Sequence, residues 1–191
     1  MTRLFIATTV ALVLFLAPAR SGDDPERAKL GESLFFDVNL SKDRTQACST
    51  CHAPDHAFTD PRETAAGRAA SLGDDGTSLG DRNAPTAAYA SFAPAFGRNA
   101  RGRWAGGQFH DGREPDLEGQ AGGPPLNLLE MGMPSKSAVV GRLRENPDYV
   151  SRFQKIFGKD VFVADKRLRV AGRPHERLII AFSQGTIDGK R

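Results

Sequence analysis

Cysteine is scarce in this 191-residue chain, which holds Cys48 and Cys51 and no third. A zinc site built on four cysteines is thereby excluded, and the two thiols have no partner but each other. No stretch alternates apolar and polar residues for long, so a large half-buried sheet is not expected, and no segment repeats at a fixed period. Lysines and arginines, 26 against 23 acids, are scattered without aromatic interleaving. At a net charge of +3 and a pI near 9.1, nucleic acid is excluded as a partner. The mild basic excess fits instead the steering of an acidic protein partner.

One long apolar run is present. It covers Leu4–Leu16, follows Thr2-Arg3 and precedes Ala17-Pro18-Ala19. It is too short and too quickly ended for a membrane span. The small-residue pattern predicts a signal peptide over residues 1–19, cut after Ala19, and export to a periplasm. Residues 20–191 then form one domain by the usual length prior. That domain is rich in glycine (20) and proline (12), with 39% hydrophobic residues overall, so a large apolar cofactor would add to its core.

Helical signals recur. Asp24-Pro25-Glu26 starts a helix carrying Leu30, Leu34 and Phe35. Asn39–Thr45 reads as a polar loop, and residues 53–103 as loops with short helical turns. Residues 115–121 form a short helix ended by Gly122-Gly123-Pro124-Pro125. Ser135 caps a helix with Val139, Val140 and Leu143. Asn146-Pro147 starts another with Tyr149, Val150, Phe153, Ile156 and Phe157, stopped by Gly158. Lys159–Val170 reads as extended, and Pro174–Ser183 as a last helix. The class is mostly α with long loops.

The two cysteines stand in Cys48-Ser49-Thr50-Cys51-His52, the C-x-x-C-H pattern of c-type haem attachment. Two thiols three residues apart add across the two vinyl groups of one haem, and the next residue lies beneath the iron. Cys48 and Cys51 are therefore the covalent attachment points of one haem c, and His52 its proximal ligand. A redox disulfide is the bland alternative, but it belongs at a helix start in a βαβ context that is missing here.

The segments LGESLFFDVNLSKDRTQACSTCHAPDHAFTD, DRNAPT, GGQFHDGREPDLEGQAGGP and LLEMGMP follow in this order. Together they resemble the N-terminal half of the bacterial di-haem cytochrome c peroxidases, the family that includes the di-haem enzyme of methylamine utilisation. The resemblance runs from about Leu30 to Gly158. It implies a cytochrome c-like haem domain that reduces hydrogen peroxide with electrons from a small cytochrome c.

It also implies roles for individual residues. Glu130, in E-M-x-M, is the acid–base group and Gln120 the amide that holds peroxide or water. A carboxylate in a mostly apolar pocket can move the proton that O–O cleavage needs. His110 stands where the family has a tryptophan before D-G-R, between its two haems. Pro124 lines the pocket, and Asn83 of R-N-x-P-T is a calcium ligand. His56 and His175 are read as surface residues. Some members carry a distal histidine eight residues before the asparagine. Asp75 stands there, and no histidine lies between His56 and His110, so an open iron is expected.

The family's second haem domain has its own C-x-x-C-H, which this chain lacks. The chain is accordingly expected to be truncated or one part of a split enzyme, with a separate second-haem domain as partner. The competing reading is a mono-haem electron carrier, with Met131 or Met133 as the sixth iron ligand and no catalysis.

Overall fold

A computed structural model describes residues 25–162. The signal-peptide region, the rest of the stretch read as extended beyond Phe162, and the helix expected over 174–183 with His175 lie outside the described residues.

Helix α1 (Pro25–Phe35) begins on a proline, with Glu26 in its first turn. Proline's fixed φ suits that position, and the acid suits the positive end of the helix dipole. Helix α2 (Cys48–Cys51) is a single turn. Helix α3 (Leu117–Ala121) is capped by Asp116, whose carboxylate accepts from the Gly119 amide. Helix α4 (Lys136–Arg144) is capped by the Ser135 hydroxyl, which accepts from the Ala138 amide. Helix α5 (Pro147–Phe157) has Asn146 as its cap, accepting from the Asp148 amide. Gly158 ends it at a φ of 99°, where a side chain would be strained.

Helix α5 packs against both α1 and α4. Tyr149 and Phe153 are one turn apart on its buried face, and they join Leu30, Leu34, Val139 and Leu143 in one apolar cluster. Full burial of each such side chain is worth roughly 1.5–3 kcal/mol. Three polar ties span the α1–α5 crossing: the Tyr149 hydroxyl donates to the Ser33 carbonyl, Arg152 donates to the Ser33 hydroxyl, and Lys155 pairs with Glu26 at 3.0 Å.

Between α2 and α3 the chain runs as turns, two 3₁₀ turns (Pro54–His56 and Ala90–Phe92) and a small hairpin, β1 (Gly97–Arg98) with β2 (Trp104–Ala105). The hairpin is too short to leave an alternating pattern, which is why sequence periodicity misses it. It also gathers Arg98, Arg101 and Arg103 beside two aromatic rings, so basic residues that read as scattered are clustered here. Residues 159–162 form a turn, not an extended segment, because Val161 and Phe162 fold back into the apolar cluster.

The loop of residues 41–47 is fastened to the 71–74 segment by Asp74. Its carboxylate accepts from the Asp43 amide (2.5 Å), the Thr45 amide (3.3 Å) and the Thr45 hydroxyl (2.5 Å). Next to it, Gly73 lies so close to residue 129 that an added Cβ would come within 2.7 Å of the Leu129 carbonyl oxygen. That approach lets the Asp74 amide donate to the Glu130 carbonyl at 2.7 Å.

Candidate active site

A cavity of about 490 Å³ opens between α2, the 80–87 loop, the 108–113 turn, α3 and the 124–131 segment. The size lies within the roughly 300–1,000 Å³ typical of cofactor and ligand sites. Its wall includes Cys48, Cys51, His52, Asn83, His110, Gln120, Pro124, Glu130 and Met131. Every site residue expected from the sequence thus meets at one cavity. Of the two candidate sixth-ligand methionines, Met131 lines it. Met133 is buried in the apolar cluster, away from the wall.

The single turn of α2 does the local work. The Ala47 amide donates to the Thr50 hydroxyl (2.9 Å), and the His52 amide to the Cys48 carbonyl (2.9 Å). A spacing of three residues in one turn puts both thiols on one face. They form no disulfide. Burial pushes the Cys48 thiol up to about 12, with Cys51 beside it adding to the rise. Burial pushes Cys51 up to about 11, against the pull of the Arg62 guanidinium, whose Nη2 lies 3.1 Å from its sulfur. A redox pair needs a depressed thiol. These two are held neutral, which counts against that reading.

His52 is set for a metal. Its Nδ1–H donates to the Phe58 carbonyl at 3.1 Å, which leaves the Nε2 lone pair free for iron. Ala57 and Phe58 both take left-handed backbone angles to aim that carbonyl. Burial holds the ring below its ordinary pKa and so keeps it neutral, as ligation requires. Two free thiols, a neutral imidazole with its second nitrogen fixed, and a cavity of cofactor size fit a covalently bound haem.

Glu130 is half-buried on the same wall. Burial raises its carboxyl above the ordinary value, and Asp81 adds to the rise. A hydrogen bond from Asn127 Nδ2 to Oε1 (2.8 Å) and the Arg113 charge oppose it. Its backbone is held by the Asp74 amide and by Gln46 Nε2 on its carbonyl. Gln120 comes from α3 and is half-buried. His110 is exposed at the rim, with Nε2 hydrogen-bonded to the Asn83 carbonyl at 3.2 Å.

Asp75 is not on the cavity wall. It is exposed in a turn, where the Ser78 hydroxyl and the Ser78 and Thr77 amides hold its carboxylate well below the usual range. His56 is exposed and pairs with Asp55. Among the described residues, no group of three or more His, Cys, Asp or Glu side chains converges as a metal site. The calcium role of Asn83 therefore has no cluster of three such side chains behind it.

Sequence reasoning misses Asn127, Arg62 and the Phe58 carbonyl. The first two carry a local signal. Asn127-x-x-Glu130 closes a turn, with the Glu130 amide donating to the Asn127 carbonyl, and that brings the two side chains together. Asp60-Pro61-Arg62 likewise folds guanidinium onto carboxylate, 2.6 Å apart.

A family model described as di-haem cytochrome c peroxidase matches residues 25–183. The chain is 56% identical over 143 residues to the methylamine utilization protein MauG of Paracoccus denitrificans, covering 75% of this chain and 37% of that protein. It is 33% identical over 140 residues to the cytochrome c peroxidase Ccp of Escherichia coli, covering 73% and 26%. The crystal structure of the diheme peroxidase BthA from Burkholderia thailandensis superimposes with a TM-score of 0.72 at 28% identity, covering 86% of this chain and 40% of that one. The chain thus spans between a quarter and two fifths of the length of these relatives.

Proposed function

The chain belongs to the di-haem cytochrome c peroxidase family, and from that premise we propose that it is a peroxide-reducing haem module of cytochrome c-like architecture, exported to a periplasm. Electrons come from a small cytochrome c or a similar donor. The observation that carries this reading is the convergence of Cys48, Cys51, His52, Gln120 and Glu130 on one cavity.

Cys48 and Cys51 would hold the haem by thioether bonds, and His52 Nε2 would supply its iron ligand. When bound, the haem supplies the redox chemistry that divides the O–O bond. The overall balance is one peroxide, two electrons and two protons to two waters. Asn127 anchors Oε1 of Glu130, so Oε2 is the oxygen that takes a proton from one end of the peroxide and returns it to the other. Gln120, a neutral amide, holds the peroxide by hydrogen bonds without competing for that proton. A calcium ion at Asn83 would need further oxygen ligands beside it.

Met131 on the cavity wall carries the second reading, an electron carrier with methionine as sixth ligand. One experiment separates the two. In the haem-loaded protein the colour stays with the polypeptide after extraction with acidified solvent. Glu130→Gln then slows the reaction with peroxide by about a hundred- to ten-thousand-fold in stopped-flow, with peroxide binding little changed. A ferric spectrum with methionine bound, and no Glu130-dependent reaction, establishes the carrier instead.

A further inference from the structure

The two attachment cysteines differ in what stands beside them. Cys48 packs against the apolar cluster. Cys51 has the Arg62 guanidinium next to it, with Nη2 3.1 Å from its sulfur. Sulfur is a weak acceptor, as a thiol or as a thioether, so the contact adds little to the fold. A fixed cation at the atom that would carry the haem has a second consequence. Hydrogen bonding and the local dielectric around a haem are among the levers that set its reduction potential.

Arg62 is held from several sides. Its Nε and Nη2 fork onto the Asp60 carboxylate at 2.8 and 2.6 Å, and its own amide donates to the same carboxylate at 3.0 Å. Nη2 also reaches the Leu72 carbonyl at 3.3 Å, and Nη1 the Gln46 side-chain oxygen at 3.4 Å. A fork of this kind fixes direction as well as supplying energy. The pair is also largely shielded from water, with the Asp60 side chain 6% exposed and that of Arg62 28%. Burial raises the Asp60 carboxyl, but hydrogen bonds from Arg62 and Ser71 outweigh it and keep it charged. Two opposite charges thus sit in poorly screened surroundings, where each acts on its neighbours more strongly than in water.

We propose that Arg62 is a positioning residue for the haem: acting through Cys51, its charge and its N–H hold the reduction potential up, and Asp60 is the counterweight that limits the rise. The proposal rests on the haem attachment in the reading above, and it names what sets the readiness of that haem to accept an electron. Reduction from ferric to ferrous takes up one electron, and no bond is made or broken at Cys51. A cation beside the attachment sulfur favours the ferrous state, which carries one positive charge fewer. An anion there favours the ferric state. In the intact pair the two effects oppose each other. After either member is removed, the member that remains fixes the sign.

The competing account is a staple that merely ties residues 60–62 to Gln46 and Leu72. A staple breaks in the same way whichever partner is lost, whereas a charge pair answers with opposite signs. The test is a potentiometric titration of the haem-loaded full chain, without peroxide, followed by absorbance at one pH and one ionic strength. Arg62→Gln leaves Asp60 unbalanced. It lowers the ferrous-to-ferric ratio at a given applied potential about tenfold, a fall of about 59 mV for a one-electron couple. Asp60→Asn leaves Arg62 unbalanced and raises the ratio by a similar factor. Arg62→Lys keeps the charge and loses the fork, so its potential stays closer to the parent than that of Arg62→Gln, while thermal unfolding reads the lost hydrogen bonds.

Shifts of the same sign in Arg62→Gln and Asp60→Asn overturn the proposal, and so does the absence of a shift in both. If Arg62→Gln fails to load haem, the direction of the Asp60→Asn shift decides: upward supports the proposal, and downward or none overturns it. A parent chain without thioether-bound haem sinks the reading above together with the proposal. A loaded parent whose potential ignores both substitutions sinks the proposal alone.

Discussion

The buried apolar cluster among the described residues draws its members from residues 30–40 and 131–162, and residues 41–130 contribute none. The buried polar side chains are distributed the other way. Ser41, Gln46, Ser71, Asp74 and Gln108 all lie in the segment that builds the cavity wall. The helical frame is therefore held by burial of Leu, Phe and Val, and the wall by hydrogen bonds that satisfy groups taken out of water. Ser71 accepts from the Ala84 amide, Gln108 donates to the Ala90 carbonyl, and Gln46 reaches the Glu130 carbonyl. Burying such groups is tolerable only because each has a partner. The difference teaches that the frame can stand on its own packing. The wall is specified contact by contact, which is how a site holds a carboxylate and an imidazole at fixed positions.

The strongest way to break this division is Phe153→Ala. Phe153 is 1% exposed and meets Phe157 and Phe162 ring to ring. Its loss should lower global stability by about 3–5 kcal/mol in denaturant unfolding. If only the wall loosened and the midpoint held, the frame would not be the self-sufficient half.

The same division explains what the sequence made legible. Helices α1, α4 and α5 announce themselves through caps and i, i+4 apolar spacing, and Pro25, Ser135, Asn146 and Gly158 stand at the ends they mark. The C-x-x-C-H turn is equally local. The hairpin is too short to leave a period, and the Phe58 carbonyl behind His52 depends on left-handed backbone at Ala57 and Phe58, which leaves no periodic trace. Glu130 and Gln120 stand out only through the family resemblance, because in composition either is an ordinary polar residue. The turn at 159–162 reads as extended in the sequence because two apolar residues folding into a cluster leave no helical period.

A smaller effect sharpens the comparison from the side of the wall. Asp74→Asn keeps the shape but offers one acceptor oxygen where the amides of Asp43 and Thr45 use two. Hydrogen bonds to a charged group are worth about 1.5–3 kcal/mol. The loss should appear as faster amide exchange at residues 43–45, with the frame unchanged. The pH dependence has a definite sign. Burial raises the Asp74 carboxyl, but the Ser41 and Thr45 hydroxyls and the Asp43 and Thr45 amides outweigh it, so the folded value lies below the ordinary one. Its stabilisation is complete above the unfolded aspartate value of about 3.9 and is lost as pH falls through the depressed folded value. In Asp74→Asn the exchange at 43–45 should no longer respond to pH in that window beyond its intrinsic dependence. A retained response would place the anchor elsewhere.

The smallest effect falls where the two regions touch. Arg44, in the loop before the cavity, pairs with Glu145 just after α4 at 2.8 Å, and both side chains are about half exposed. An exposed pair of this kind is worth about 0–1 kcal/mol. Arg44 also donates to Asn39 and holds a φ of 59°, in the left-handed region. That conformation costs a side-chain-bearing residue roughly 1–2 kcal/mol relative to the right-handed one. Arg44→Ala removes the pair and keeps the strain, so it should lower stability by up to about 1 kcal/mol. Arg44→Gly removes the same pair but relieves the strain. Its greater unfolded-state freedom takes back about 0.5–1 kcal/mol, which leaves it closer to the parent than the alanine variant is. Thermal unfolding of the two side by side decides the point. If alanine proves the more stable, backbone strain at residue 44 is negligible.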